Sequence, residues 1–140
     1  MSHERPVLEE VIAAADPHLR PYARAAPRSD DLDLTLPNPD RAFTLAAVRE
    51  GYLLHHGEPL AFEGMDDDLR LLAGDALYAL GLERVAVRGD LEAIAELSDL
   101  ISLCAWAHAE GRADVVPGVW SSTVAALSGD GGGASSAIPL

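Results

Sequence analysis

The sequence predicts an all-α protein, an antiparallel bundle of helices. Two observations carry this. Apolar residues make up 49% of the 140-residue chain, with Ala and Leu dominant, whereas aromatics are only 5% and strand formers are sparse. Three long stretches, at about 39–56, 66–84 and 90–111, place apolar residues three and four apart and begin or end at capping residues. The length suffices for one domain with a real core.

Residues 6–15 hold one short helical period, which Pro17 and Pro21 interrupt. The segment 27–39 carries Pro27, Pro37 and Pro39 around Ser29-Asp30-Asp31 and reads as a loop. Asn38 can cap free N–H groups and Pro39 suits a first helical position, so a helix starts there and runs to about His56, stopping at Gly57. Phe43, Ala46, Ala47, Glu50 and Leu54 share its apolar face.

Asp66, Asp67 and Asp68 favour the positive end of the next helix. Its expected stripe is Leu69, Leu72, Ala73, Ala76 and Leu80, widened by Leu71, Tyr78 and Leu82, and a stripe that wide calls for more than one neighbour. Gly74 inside this helix costs about 1 kcal/mol relative to Ala, which suggests a close approach by another helix. Asp90 caps a further helix whose expected face is Leu91, Ile94, Ala95, Ser98, Ile101, Ala105 and His108, with Gly111 as its stop. Cys104 lies on or beside that face and reads as a small buried hydrophobe. Pro117 to Leu127 forms a last short helix with Trp120 on its apolar side. The expected organisation is an N-terminal helix and Pro-rich loop over 1–37, a helical core over 38–127, and a flexible Gly/Ser tail over 128–140.

Charge narrows the function classes. The net charge is -13, and every one of the ten basic residues is Arg. This argues against nucleic acid or an anionic membrane as partner. No apolar run reaches the roughly 18 residues a membrane span needs. With one cysteine and no basic-then-apolar leader, a cytoplasmic location is the expectation.

Two motifs give the chain a family likeness. Gly57-Glu58-Pro59 is followed, at a fitting distance, by Leu72-Ala73-Gly74-Asp75-Ala76-Leu77. Together they resemble the polyprenyl (trans-isoprenoid) diphosphate synthases, in which DDxxD precedes RRGxP and then an LAGDxL helix. The likeness spans about residues 40–112. It implies a part of the isoprenoid synthase fold, with Gly57, Pro59, Gly74 and Asp75 as retained architecture. In that family the aspartates hold Mg²⁺ against a diphosphate and the arginines pair with its phosphates. Against the same pattern Ala46 and Ala47 stand where the first two aspartates belong, Glu50 at the last, and His55 and His56 at the arginines. The likeness therefore implies a truncated, degenerate member with a vestigial diphosphate and metal site, no catalytic residues and no metal.

Three functional readings follow. The first is a non-catalytic small, regulatory or scaffolding subunit that forms a homo-oligomer, or a hetero-oligomer with a prenyl synthase or another helical protein. The second is an active prenyl diphosphate-binding enzyme with an atypical Mg²⁺ site built from Glu50, Asp66–Asp68 and Asp75. The third is an interaction module of a larger assembly, tethered by Ala137-Ile138-Pro139-Leu140. Other residues have plain readings. Asp66–Asp68 is a capped helix start, His55-His56 a solvated helix end and His108 a core or interface histidine. Asp75 is expected to be a buried carboxylate that bonds a neighbouring helix or loop.

Overall fold

A computed structural model describes residues 4–30, 32–129 and 133. Among them the protein is all-α, and the one extended pairing is an isolated antiparallel bridge between Ala23 and Phe62. The chain divides into two compact units, Met1–Val87 and Arg88–Leu140. The first holds α1 (Glu4–Ala14), a 3₁₀ helix (Pro17–Tyr22), α2 (Pro39–His56) and α3 (Asp67–Val87). The second holds α4 (Leu91–Ala109), a 3₁₀ turn (Ala113–Val115) and α5 (Val116–Leu127).

The helix ends lie where their capping chemistry puts them. Asn38 Oδ1 accepts from the N–H groups of Asp40 and Arg41, at 3.0 and 3.1 Å. Asp66 Oδ1 accepts from Leu69 at 2.8 Å, and Asp90 Oδ1 from Ala93 at 3.2 Å. Each side chain thus satisfies backbone donors that have no partner within the helix. α4 ends on Gly111 at φ +68, with the Arg112 N–H bonded to the Ala107 carbonyl and the Gly111 N–H to that of His108. This is the Schellman arrangement, which glycine adopts without steric strain.

α2 is the centre of the first unit. It packs on α1 and α3, and ten of its residues from Phe43 to Leu54 are buried. Its crossing with α3 is antiparallel and unusually close. Thr44 Oγ1 donates to the Gly81 carbonyl at 2.8 Å, and further along Gly51 faces Gly74. A methyl group on Gly51 would sit 2.8 Å from the Gly74 carbonyl oxygen, and one on Gly74 would sit 2.9 Å from that of Gly51. The cost of Gly74 in a helix interior is thus the condition for two backbones to touch.

This contact corrects the expected face of α3. The buried residues are Ala73, Gly74, Leu77, Gly81 and Val85, whereas Leu71, Leu72 and Ala76 are exposed. Periodicity weights large apolar side chains, but a close crossing selects the smallest ones. The expected face of α4 is also displaced. Ala93, Leu97, Leu100, Cys104 and Ala107 are buried, and Leu91, Ala95, Ser98 and Ala105 are exposed. Apolar residues occur almost all round this helix, so spacing alone selects no face. Cys104 and Trp120 are buried as expected, and His108 is half-buried.

Within the second unit α4 packs on α5 and the short 3₁₀ turn, and Trp120 is the largest buried side chain. Most of the expected tail, 130–132 and 134–140, lies outside the described residues, as does the proposed tether at 137–140. No described helix is long and apolar enough to cross a membrane.

The crossing gives a test. Alanine at position 51 gains about 1 kcal/mol of helix propensity. It also overpacks a rigid backbone contact, a class of change that costs about 1–3 kcal/mol. Gly51→Ala is therefore expected to lower the urea midpoint with little change in slope; a raised midpoint would show that the helices separate freely.

Candidate functional site

The residues that the motif comparison groups together are held by different partners. Glu50 is fully buried in mid-α2 and faces the segment that returns from Gly57. Its Oε2 accepts from the Leu60 N–H at 2.9 Å, and its Oε1 accepts from Ala61 at 2.8 Å and Phe62 at 3.3 Å. Three successive backbone amides thus converge on one carboxyl group. Burial pushes the Glu50 carboxyl above its ordinary range, while the three amides and the nearby Arg24 guanidinium pull it the other way.

The same segment is bonded on its other edge. The Arg24 and Arg28 N–H groups donate to the carbonyls of Ala61 and Leu60, and the Glu63 N–H donates to that of Tyr22, all at 2.8 Å. Arg24 also reaches the Pro59 carbonyl at 3.2 Å and pairs with Glu63. A stretch without helix or sheet thereby satisfies its buried polar backbone, as burial of Leu60, Ala61 and Phe62 requires.

Pro59 and Gly57 belong to this same loop. Gly57 closes α2 through its N–H to the Leu53 carbonyl at 2.8 Å. Arg70, in the first turns of α3, donates to the carbonyls of Leu54 at 2.9 Å, Leu53 at 3.1 Å, and Gly57. One guanidinium thus gathers carbonyls at the end of α2, sharing that of Leu53 with the Gly57 N–H.

His55 is not a solvated helix end. Its ring is largely covered, lies edge-on to Tyr78, and brings Nε2 to 3.0 Å from the Leu71 carbonyl and 3.3 Å from Asp75 Oδ1. A carbonyl only accepts, so that nitrogen carries the proton. His56 is exposed, with its ring against Tyr52. Asp75 corrects an expectation too: its side chain is 73% exposed and its partner is His55. The buried carboxylate of this chain is Glu50, because the glycine face turns Asp75 outward. Ala47 sits buried at the crossing with α3, and Ala46 lines a cavity beneath α1.

These positions do not fit a Mg²⁺ ion. Ala46 and Ala47 bring no oxygen, and both Glu50 oxygens are taken by amides. Asp66 is spent on capping α3. Among the described residues no group of three or more His, Cys, Asp or Glu side chains is gathered as a metal site would need. The sequence comparison missed Arg24 and Arg70, whose roles depend on neighbours 13 to 39 residues away. Glu50 had a usable signal, a lone carboxylate on an apolar helix face.

Glu50→Ala strands three buried amides, at about 1–3 kcal/mol for each group left unsatisfied. A loss of about 3 kcal/mol or more is expected by urea denaturation, with Glu50→Gln losing less because it keeps one acceptor oxygen. The raised folded-state value also sets a pH slope. The carboxyl contributes its full stabilisation below the unfolded value near 4.5, and that share is lost as pH rises through the folded value. The stability of wild type minus that of Glu50→Gln should therefore decrease as pH rises from 4.5; an increase would show that the amides outweigh burial.

Compared with models of protein families, with curated proteins and with solved structures, the chain matches none.

Proposed function

We propose that this protein is a non-catalytic relative of the polyprenyl diphosphate synthases that works by helix–helix association, as a subunit of a homo-oligomer or of a complex with another helical protein. The observation that carries the reading is the outer face of α3. Leu71, Leu72 and Val87 are 54%, 68% and 77% exposed on this one helix. At about 100° per residue, Leu72, Ala76, Ala79, Ala86 and Val87 fall within one stripe, with Asp68 at its N-terminal edge and Glu83 within it as its charged members. A mainly apolar stripe from Leu72 to Val87 on a strongly acidic protein is the kind of surface that a partner covers. Two further features support the non-catalytic part. Alanine stands at two of the three aspartate positions, and the remaining carboxylate is bonded into the core.

The stripe suits a second apolar helix, this chain's own or another protein's, arranged so that the Asp and Glu flanking the stripe do not meet acidic residues. Self-association is the direct test. Light scattering after size exclusion is expected to give a dimer or larger species that Leu72→Glu converts to monomer. A wild-type monomer at all concentrations that also fails to capture a prenyl synthase would overturn the reading. Prenyl transfer by the purified chain with Mg²⁺ is expected to be undetectable, and measurable turnover would remove the non-catalytic part.

A further inference from the structure

The first unit contains a cavity of about 280 Å³ between α1, the extended segment before α2, and one face of α2. Leu8 and Leu36 form buried walls, and α2 contributes Ala42 and Ala46, one turn apart. Next on that face is Arg49, the one ionisable residue of the lining among the described residues. A well-packed interior leaves few voids larger than a water molecule, because each forfeits the contacts that would fill it. The cavity opens to solvent on one side, and water inside it finds few polar partners because the described walls are chiefly hydrocarbon. Two small side chains on a helix otherwise buried among Leu, Val and Phe keep the space open.

The charge at the mouth selects among ligands. Arg49 Nε and Nη2 donate to Asp30 Oδ2 at 3.2 and 2.6 Å, and both side chains are largely shielded from solvent. The cation is thus already met by a carboxylate. An anionic ligand would have to displace Asp30 and approach a protein of net charge -13. A cationic ligand would be desolvated beside a guanidinium. What remains is an uncharged molecule with an apolar body and one hydrogen-bonding end, for which Thr35 offers a hydroxyl at the lining. An engineered apolar cavity of about 150 Å³ accepts benzene, so one nearly twice as large suits a chain of about ten carbons.

We propose that this cavity is a binding site for an uncharged aliphatic ligand of about ten carbons with a single polar end, of the fatty-alcohol type. The proposal does not depend on the association surface of α3.

The test uses the full chain and a series of 1-alkanols, with decanoate and decyltrimethylammonium as charged arms. Calorimetric titration is expected to give saturable one-to-one binding of 1-decanol. Affinity should rise about fourfold for each added methylene up to about ten carbons, and then level off. Decanoate and the ammonium compound should bind at least tenfold more weakly. Ala46→Leu and Ala42→Leu fill the space and should abolish binding while keeping or raising the melting temperature. Absence of saturable binding, tighter binding of decanoate, or unchanged binding in both filled variants would overturn the proposal. If neither variant folds, the chain-length break decides: affinity that keeps rising without levelling marks adsorption to the exposed apolar surface and also overturns it.

Discussion

A carboxyl group removed from water has to be met by donors, and Glu50 finds its donors in a segment with no helix of its own. Leu60, Ala61 and Phe62 must be buried to complete the core around α2, yet their amides have no helical partners. Glu50 supplies acceptors on one edge, and the backbone of residues 22–28 supplies partners on the other. Neither half would suffice. Without the carboxyl group three amides would be stranded. Without the loop an acidic side chain would face hydrocarbon. Arg24 is tied into the same arrangement, with its guanidinium donating to the Pro59 carbonyl at the head of the loop.

The residues compared with the synthase motifs have structural roles that centre on the same interaction. The positions that would carry diphosphate chemistry in a synthase are here part of the packing. Ala47 admits α3, Glu50 bonds a loop, and His55 joins the two helices across Leu71 and Asp75. Gly57 and Pro59 form the turn that delivers the amides to Glu50. Residues in such a pattern can be required by folding geometry alone, independent of any chemistry.

Local chemistry was readable from the sequence wherever one residue decides one outcome. Asn38, Asp66, Asp90 and Gly111 each mark a helix end because capping involves neighbours only two to five residues away. Which face of α3 turns inward was not readable, because that depends on what lies opposite. Leu72 scores as core in any periodic reading, and Gly74 scores as a defect. Opposite Gly51 the ranking reverses, so Asp75 turns outward with the leucines. The site was half readable for a related reason. Glu50 announced a need for donors, but nothing local says that they come from a loop ten residues on, or that Arg24 and Arg70 secure it from both sides.

The glycine crossing of α2 and α3 has a mechanical corollary. Two helices that meet through large side chains are held in register by ridges seated in grooves. Backbones that meet through Gly51, Gly74 and Gly81 present smoother surfaces, along which one helix could slide past the other. Directional bonds at the two ends of the contact prevent this. The Thr44 hydroxyl is bonded to Gly81 at one end, and the Arg70 guanidinium is bonded to the last carbonyls of α2 at the other. Close approach and fixed register are thus separate properties of this helix pair, the first supplied by what its side chains lack and the second by two polar pins.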